Sequence, residues 1–228
     1  MANLNELIIY HGSTDVIENP VFGKGKPYND YGLGFYCTES LDLAKEWAVD
    51  ENRNGYANKY ALDLNDLHIL DLSQKSYTTL HWITILLQNR VFTLKNDISK
   101  LGRDYLLQNF SLPTGDYDII KGYRADDSYF AYAESFLSNT ISIGRLSEAL
   151  RFGNLGEQIV LISKKSFEHI RFLGYEIADS STYYPLRKDR NERARLEFLS
   201  NRQGTPSPYD LYLNDIIRGV PADDPRLQ

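Results

Sequence analysis

An α+β fold with a C-terminal helical appendage is predicted by three features of the sequence. Short apolar runs rich in strand formers recur along the chain. Apolar residues at helical spacing lie between them, and turn formers mark the joins. With 228 residues the chain is long enough to bury a core without staples. The reading divides it into a main domain, residues 1–175, and a helical extension, residues 176–228.

Leu7 to His11 is a strand that stops at Gly12. Residues 13–32 form a loop, because Asn19-Pro20, Gly23, Gly25, Pro27, Asn29-Asp30 and Gly32 are all turn formers. Gly32 to Thr38 enters a short buried strand, and Thr38 or Ser40 caps a helix with Leu43, Ala44, Trp47 and Ala48 on one face. Two strands follow, near Tyr60–Leu64 and His68–Leu72. Leu80, Ile83, Leu87 and Val91 have helical spacing, as do Ile98, Leu101 and Tyr105 behind Asp97 as a cap. Tyr117–Tyr123 is a strand and 128–137 a short helix. Ile143, Leu146 and Leu150 mark another helix, closed by Gly153. Gln158–Ile162 and Ile170–Tyr175 are strands.

Beyond residue 176 the composition changes. The run from Arg187 to Arg195 mixes basic and acidic residues, which predicts an exposed helix over 186–200. Gly204, Pro206 and Pro208 break it. A last short helix falls within Tyr209–Ile217, and the end after Pro221 is expected to be loose.

Hydrophobic residues make up 42% and charged residues 25%, the composition of an ordered globular chain. The net charge of −6 argues against a protein that grips nucleic acid through many phosphates. One cysteine, Cys37, permits neither an intramolecular disulfide nor a cysteine-built metal site, and the four histidines show no ligand-like pairing. No charged-then-apolar leader and no run of 18 apolar residues is found, so a cytoplasmic protein without a membrane segment is expected.

Three segments carry residues suited to chemistry. Tyr10-His11-Gly12-Ser13 ends a strand, where an imidazole serves either a ligand or the local structure. Gly32 to Thr38 leads into the helix bearing Trp47, eleven residues after Tyr36. Those two rings either pack in the core or face each other across a slot suited to a flat, positively charged heterocycle. Gly156-Glu157-Gln158 opens an apolar strand, which leaves the Glu157 carboxylate either partly desolvated or simply the last exposed residue before the strand.

In this order and at these separations, the segments resemble the ADP-ribosyltransferase superfamily, in its His-Tyr-Glu branch of diphtheria toxin and the poly(ADP-ribose) polymerases. The matching positions are His11-Gly12-Ser13, Gly34-Phe35-Tyr36, Trp47 and Glu157. The stretch 34–52, GFYCTESLDLAKEWAVDEN, is especially similar to the toxin segment. Resemblance runs over roughly residues 7–174, loosely in 73–140, and extends to uncharacterised bacterial toxin-like domains paired with small antitoxins. Two positions depart from the polymerases, Ala44 in place of a serine and Trp47 in place of a tyrosine. Leu155 stands where the arginine-modifying branch has a second glutamate, so the resemblance does not point to arginine as acceptor.

The resemblance implies a split β-sheet core with flanking helices and NAD⁺ as a consumed substrate, with no metal. The activity implied is mono-ADP-ribosyl transfer to a macromolecule by a bacterial toxin or effector. Glu157 would favour the oxocarbenium-like transition state, Tyr36 and Trp47 would sandwich the nicotinamide, and His11 would bond the adenosine ribose. The Gly12 backbone would pair with the carboxamide, and Ser13 would add a ribose or phosphate contact. The acceptor would approach along 144–156, including Arg145, Arg151 and Asn154, or along Tyr123–Asp127. The charged helix 186–200 and the tail 206–217 are either a solvated face or the docking surface of a small antitoxin or immunity protein. An NAD glycohydrolase and a catalytically silent nucleotide- or partner-binding module are the alternative functions on the same scaffold.

Overall fold

A computed structural model describes residues 5–124, 127–150, 156–202, 209–221 and 224–227. The fold is α+β. Strand β1, Glu6–Ser13, pairs antiparallel with β3, Gly55–Asp63, which pairs antiparallel with β7, Ile170–Ala178. In the second sheet β2, Phe35–Cys37, lies beside β6, Glu157–Leu161, then β5, Ile119–Tyr123, then β4, Ile69–Asp71; only the β4–β5 pair is parallel. A bridge joins the two sheets. The Tyr10 amide donates to the Thr38 carbonyl at 2.8 Å, and the Thr38 amide donates back at 2.9 Å. Beyond it β1 and β2 part.

Alternation along the strands makes two main cores, beside a small cluster of Ala48, Val49 and Ala178. Ile9, Tyr60 and Leu62 from one sheet meet Phe35, Cys37, Ile159 and Leu161 from the other in a small inter-sheet core. The other face of the second sheet, with Leu70, Ile120 and Val160, packs on helices. These are α2, Thr79–Asn89; α3, Asp97–Asn109; α4, Asp127–Leu137; and α5, Ile143–Ala149. Helix α1, Leu41–Ala48, starts at the Ser40 cap and lies on β1 and β3. A Cβ at Gly12 would lie 2.1 Å from the Ala44 carbonyl oxygen and 2.9 Å from the Trp47 Cβ, so the strand accepts α1 only because residue 12 has no side chain.

Several boundaries differ from expectation. β3 begins at Gly55 rather than Tyr60, because it is the central strand and pairs on both sides. Asn96, not Asp97, caps α3, its Oδ1 accepting from the Ser99 amide at 2.7 Å. Val91 lies beyond α2 and is 80% exposed. A short helix α6, Lys164–Glu168, has no counterpart in the sequence reading. Gly153 and residues 204–208 lie outside the described residues.

The expected division at 175/176 falls within β7, whose pairing continues to Gly55↔Ala178. Helix α7, Ser180–Arg202, follows. Helix α8, Leu213–Ile217, buries Leu213 and Ile216 in the larger core. The tail expected to be loose ends instead in a 3-10 turn, Pro225–Leu227, with Leu227 fully buried in the same core. Burial of the Leu227 side chain outweighs the local absence of structure-forming residues.

Candidate functional site

Where β1 and β2 part there is a cavity of about 910 Å³. His11 from β1, Phe35 and Tyr36 from β2 and Gln158 from β6 contribute to its wall. The 14–34 loop adds more of the lining. A buried Asn58 on β3 pins that loop, its Nδ2 donating to the Asp15 carbonyl at 3.1 Å while its Oδ1 accepts from the Ile17 amide at 2.9 Å.

His11 is held in one orientation. Its ring stacks on Phe35 with centroids 4.3 Å apart, and its Nδ1 lies 2.7 Å from the Tyr36 carbonyl oxygen. A carbonyl only accepts, so Nδ1 carries the hydrogen there. Burial lowers the His11 pKa, which keeps the ring neutral at physiological pH and leaves Nε2 as an acceptor. The Tyr36 hydroxyl donates to the Gly32 carbonyl at 2.6 Å and accepts from the Tyr31 amide at 3.1 Å. Burial pushes its phenol pKa up.

A buried polar cluster underlies the cavity. Asp30, 5% exposed, pairs with Arg90 at 2.9 Å and accepts from Gln158 Nε2 at 3.2 Å. Tyr31 and Trp82 both donate to the Tyr123 carbonyl. Of these residues only Tyr123, at the start of the second expected rim, entered the sequence-based site. The signal of the others was faint: an Asp within a turn-rich loop, an Arg at a helix end and a Gln one residue past the candidate Glu.

The cavity wall is basic. Among the described residues, Lys24, Lys26, Arg90, Arg124 and Arg187 line it against one acid, Asp30. This stands out in a chain of net charge −6.

The remaining expected residues lie elsewhere. Glu157 does not line the cavity. Its side chain is 36% exposed and pairs with Lys121 at 3.3 Å, which also contacts Glu39 at 3.3 Å. Burial works against the Lys121 ammonium, but the two carboxylates outweigh it and raise its pKa. Register and position along β6 together separate them. Tyr36 sits opposite Val160, whereas Glu157 shares the other face of the strand with Ile159 and lies at the opposite end of β6 from Leu161, the partner of the cavity-lining Phe35. Trp47 does not line the cavity and makes no ring contact with Tyr36 among the described residues. The Arg124 guanidinium lies over its ring, 4.9 Å from the centroid, and the buried Trp47 Nε1 has no hydrogen-bond partner among the described residues. Gly12 lies under α1, and the Ser13 hydroxyl accepts from the Asp15 amide at 3.1 Å within a turn. Arg151 and Asn154 are outside the described residues, as are Ala125 and Asp126 of the second expected rim.

Among the described residues, no group of three or more His, Cys, Asp or Glu is placed to hold a metal ion, and no helix is long and apolar enough to cross a membrane. Cys37 is fully buried, and burial raises its thiol pKa, which makes it an inert filler of the inter-sheet core.

A family model described as "Protein of unknown function (DUF3990)" matches residues 7–172. No curated protein and no solved structure matches the chain.

Proposed function

We propose, for a chain that belongs to the DUF3990 family of proteins of unknown function, that it is an NAD-dependent mono-ADP-ribosyltransferase of the toxin or effector kind. The observation that carries the reading is the 2.7 Å contact between His11 Nδ1 and the Tyr36 carbonyl at the wall of the cavity. It joins two of the segments that carry the resemblance and leaves Nε2 able to accept from a ribose hydroxyl. The volume is in the range of nucleotide-sized pockets. Two sheets joined at one bridge agree with the split core that the resemblance implies.

In this reading the ribose–nicotinamide C–N bond breaks and its electron pair leaves with neutral nicotinamide. The acceptor's nucleophilic atom bonds to C1′ and loses its proton. Positive charge spreads over the ribose in between, and Glu157 turns from Lys121 toward the sugar to stabilise it. The pyridinium takes the face of Trp47 that Arg124 covers, since both are flat cations. A small antitoxin or immunity protein would be the partner of such a toxin.

Mass spectrometry of lysate proteins and nucleic acids after incubation with NAD⁺ tests the reading, looking for an added ADP-ribose. Glu157→Ala should lower turnover roughly 10²–10³-fold while leaving nucleotide affinity nearly unchanged. Equal turnover in that variant would remove Glu157 from the mechanism. The Lys121–Glu157 pair and the covered face of Trp47 favour a second reading, a nucleotide-binding module without turnover. NAD⁺ binding with neither transfer nor nicotinamide release would establish it.

A further inference from the structure

The family match ends at residue 172, and α7 begins at Ser180. The inward face of this helix is nevertheless part of the cavity. Arg187 and Asn191, four residues apart and so on one side of the helix, both line it. The same side carries Arg190 and Ala194. Arg190 forms a two-pronged pair with Glu46 of α1 at 2.7 and 2.9 Å, and Glu46 is 2% exposed. Ala194 is fully buried, and its carbonyl accepts from the Tyr132 hydroxyl at 2.7 Å. Arg187 donates through Nη1 to the Val49 carbonyl just beyond the C-terminal end of α1, at 3.1 Å. Three anchors on one face therefore fix α7 against the main domain.

We infer that α7 closes one wall of the nucleotide cavity and that Arg187 is a ligand-binding residue for the diphosphate of the bound nucleotide. This rests on the proposed nucleotide reading. A guanidinium has five N–H donors in a planar fork, and one bond to Val49 leaves others able to meet phosphate oxygens. That single bond also aims the fork from a fixed base, which reduces the ordering that binding would otherwise require. The charge balance of the lining matches such a ligand. Among the described residues, five cations line the wall against one acid, Asp30. Asp30 is taken up by Arg90 and Gln158, so it does not oppose an anion at Arg187. Asn191, one helical turn on, adds a neutral donor and acceptor on the same side.

The test uses the full chain and titration calorimetry with ADP-ribose, inorganic pyrophosphate and nicotinamide. Arg187→Gln removes the charge but retains a donor for the Val49 carbonyl. It should weaken ADP-ribose and pyrophosphate by about 10- to 100-fold, leave nicotinamide unchanged, and flatten the salt dependence of ADP-ribose binding. Arg187→Lys, which restores the charge, should recover most of the loss. Unchanged ADP-ribose affinity in Arg187→Gln, beside a wild type that binds it, would overturn the inference and leave the nucleotide reading standing. A wild type that binds pyrophosphate through Arg187 but neither ADP-ribose nor NAD⁺ would overturn the nucleotide reading and keep the anion site. Loss of nicotinamide binding together with ADP-ribose in both variants would show a structural role only and refute the assignment.

Discussion

At the scale of single residues, hydrogen-bond direction decides what each side chain can do. The Tyr36 carbonyl makes Nδ1 of His11 a donor, whereas the Thr78 amide, donating at 3.0 Å, makes Nδ1 of His81 an acceptor. Burial holds the pKa of both rings below the ordinary 6.5. The unfolded chain therefore takes up more protons than the folded one as pH falls through that value. Stability contributed by the neutral rings is complete above it and declines below it. The urea midpoint should be lower at pH 5.5 than at pH 7.5. His81→Gln should blunt that decline, because glutamine can complete the Thr78 capping box without titrating. A midpoint that is flat across this window in the wild type would contradict the placement of both rings.

Between elements, the decisive contact is α1 on β1. Trp47 is delivered beside Gly12 because the helix backbone rests on the strand, and Gly12→Ala would drive a Cβ into the Ala44 carbonyl. The obstructing atoms are backbone and cannot rotate away. The variant should lose ~3 kcal/mol or more, the upper end of overpacking costs, read from denaturant unfolding. A wild-type midpoint would mean that α1 does not sit on the strand as described. The same crossing gives Gly12 a packing role independent of any carboxamide contact. Gly156 acts similarly at the entrance to β6. Its φ of +78° suits glycine, and a Cβ there would meet Leu43 of α1 at 2.5 Å.

Across the whole molecule, the C-terminal quarter is part of the core rather than an addition to it. Leu213 of α8 fits the space above Gly102 of α3, where a Cβ would lie 2.3 Å from its Cδ2. Leu213→Ala should cost about 2–5 kcal/mol, as deletion of a fully buried leucine does. The loss would appear as one cooperative unfolding transition shifted downward. Two separate transitions, with only the later one shifted, would instead show that the C-terminal segment folds alone. The path from α7 through the Arg190–Glu46 pair to α1 links this segment to the residue next to Trp47.

Period and turn chemistry in the sequence were sufficient to determine the α+β class and the order of most strands and helices, and they narrowed the cap of α1 to Thr38 or Ser40, of which the structure shows Ser40. They also singled out His11 and Tyr36, because a His-Gly step at a strand end and a Gly-Phe-Tyr strand are local features. Other properties arose only from the tertiary structure. Strand register placed Tyr36 and Glu157 on opposite faces of the second sheet and left the acid with Lys121. Apolar periodicity could not detect the inward face of α7, whose anchors are Arg187, Arg190 and the Ala194 carbonyl, so the helix read as solvated. A polar side chain becomes interior only when a distant partner satisfies it. Glu46, Val49 and Asp30 do so across separations that no local window in the chain spans.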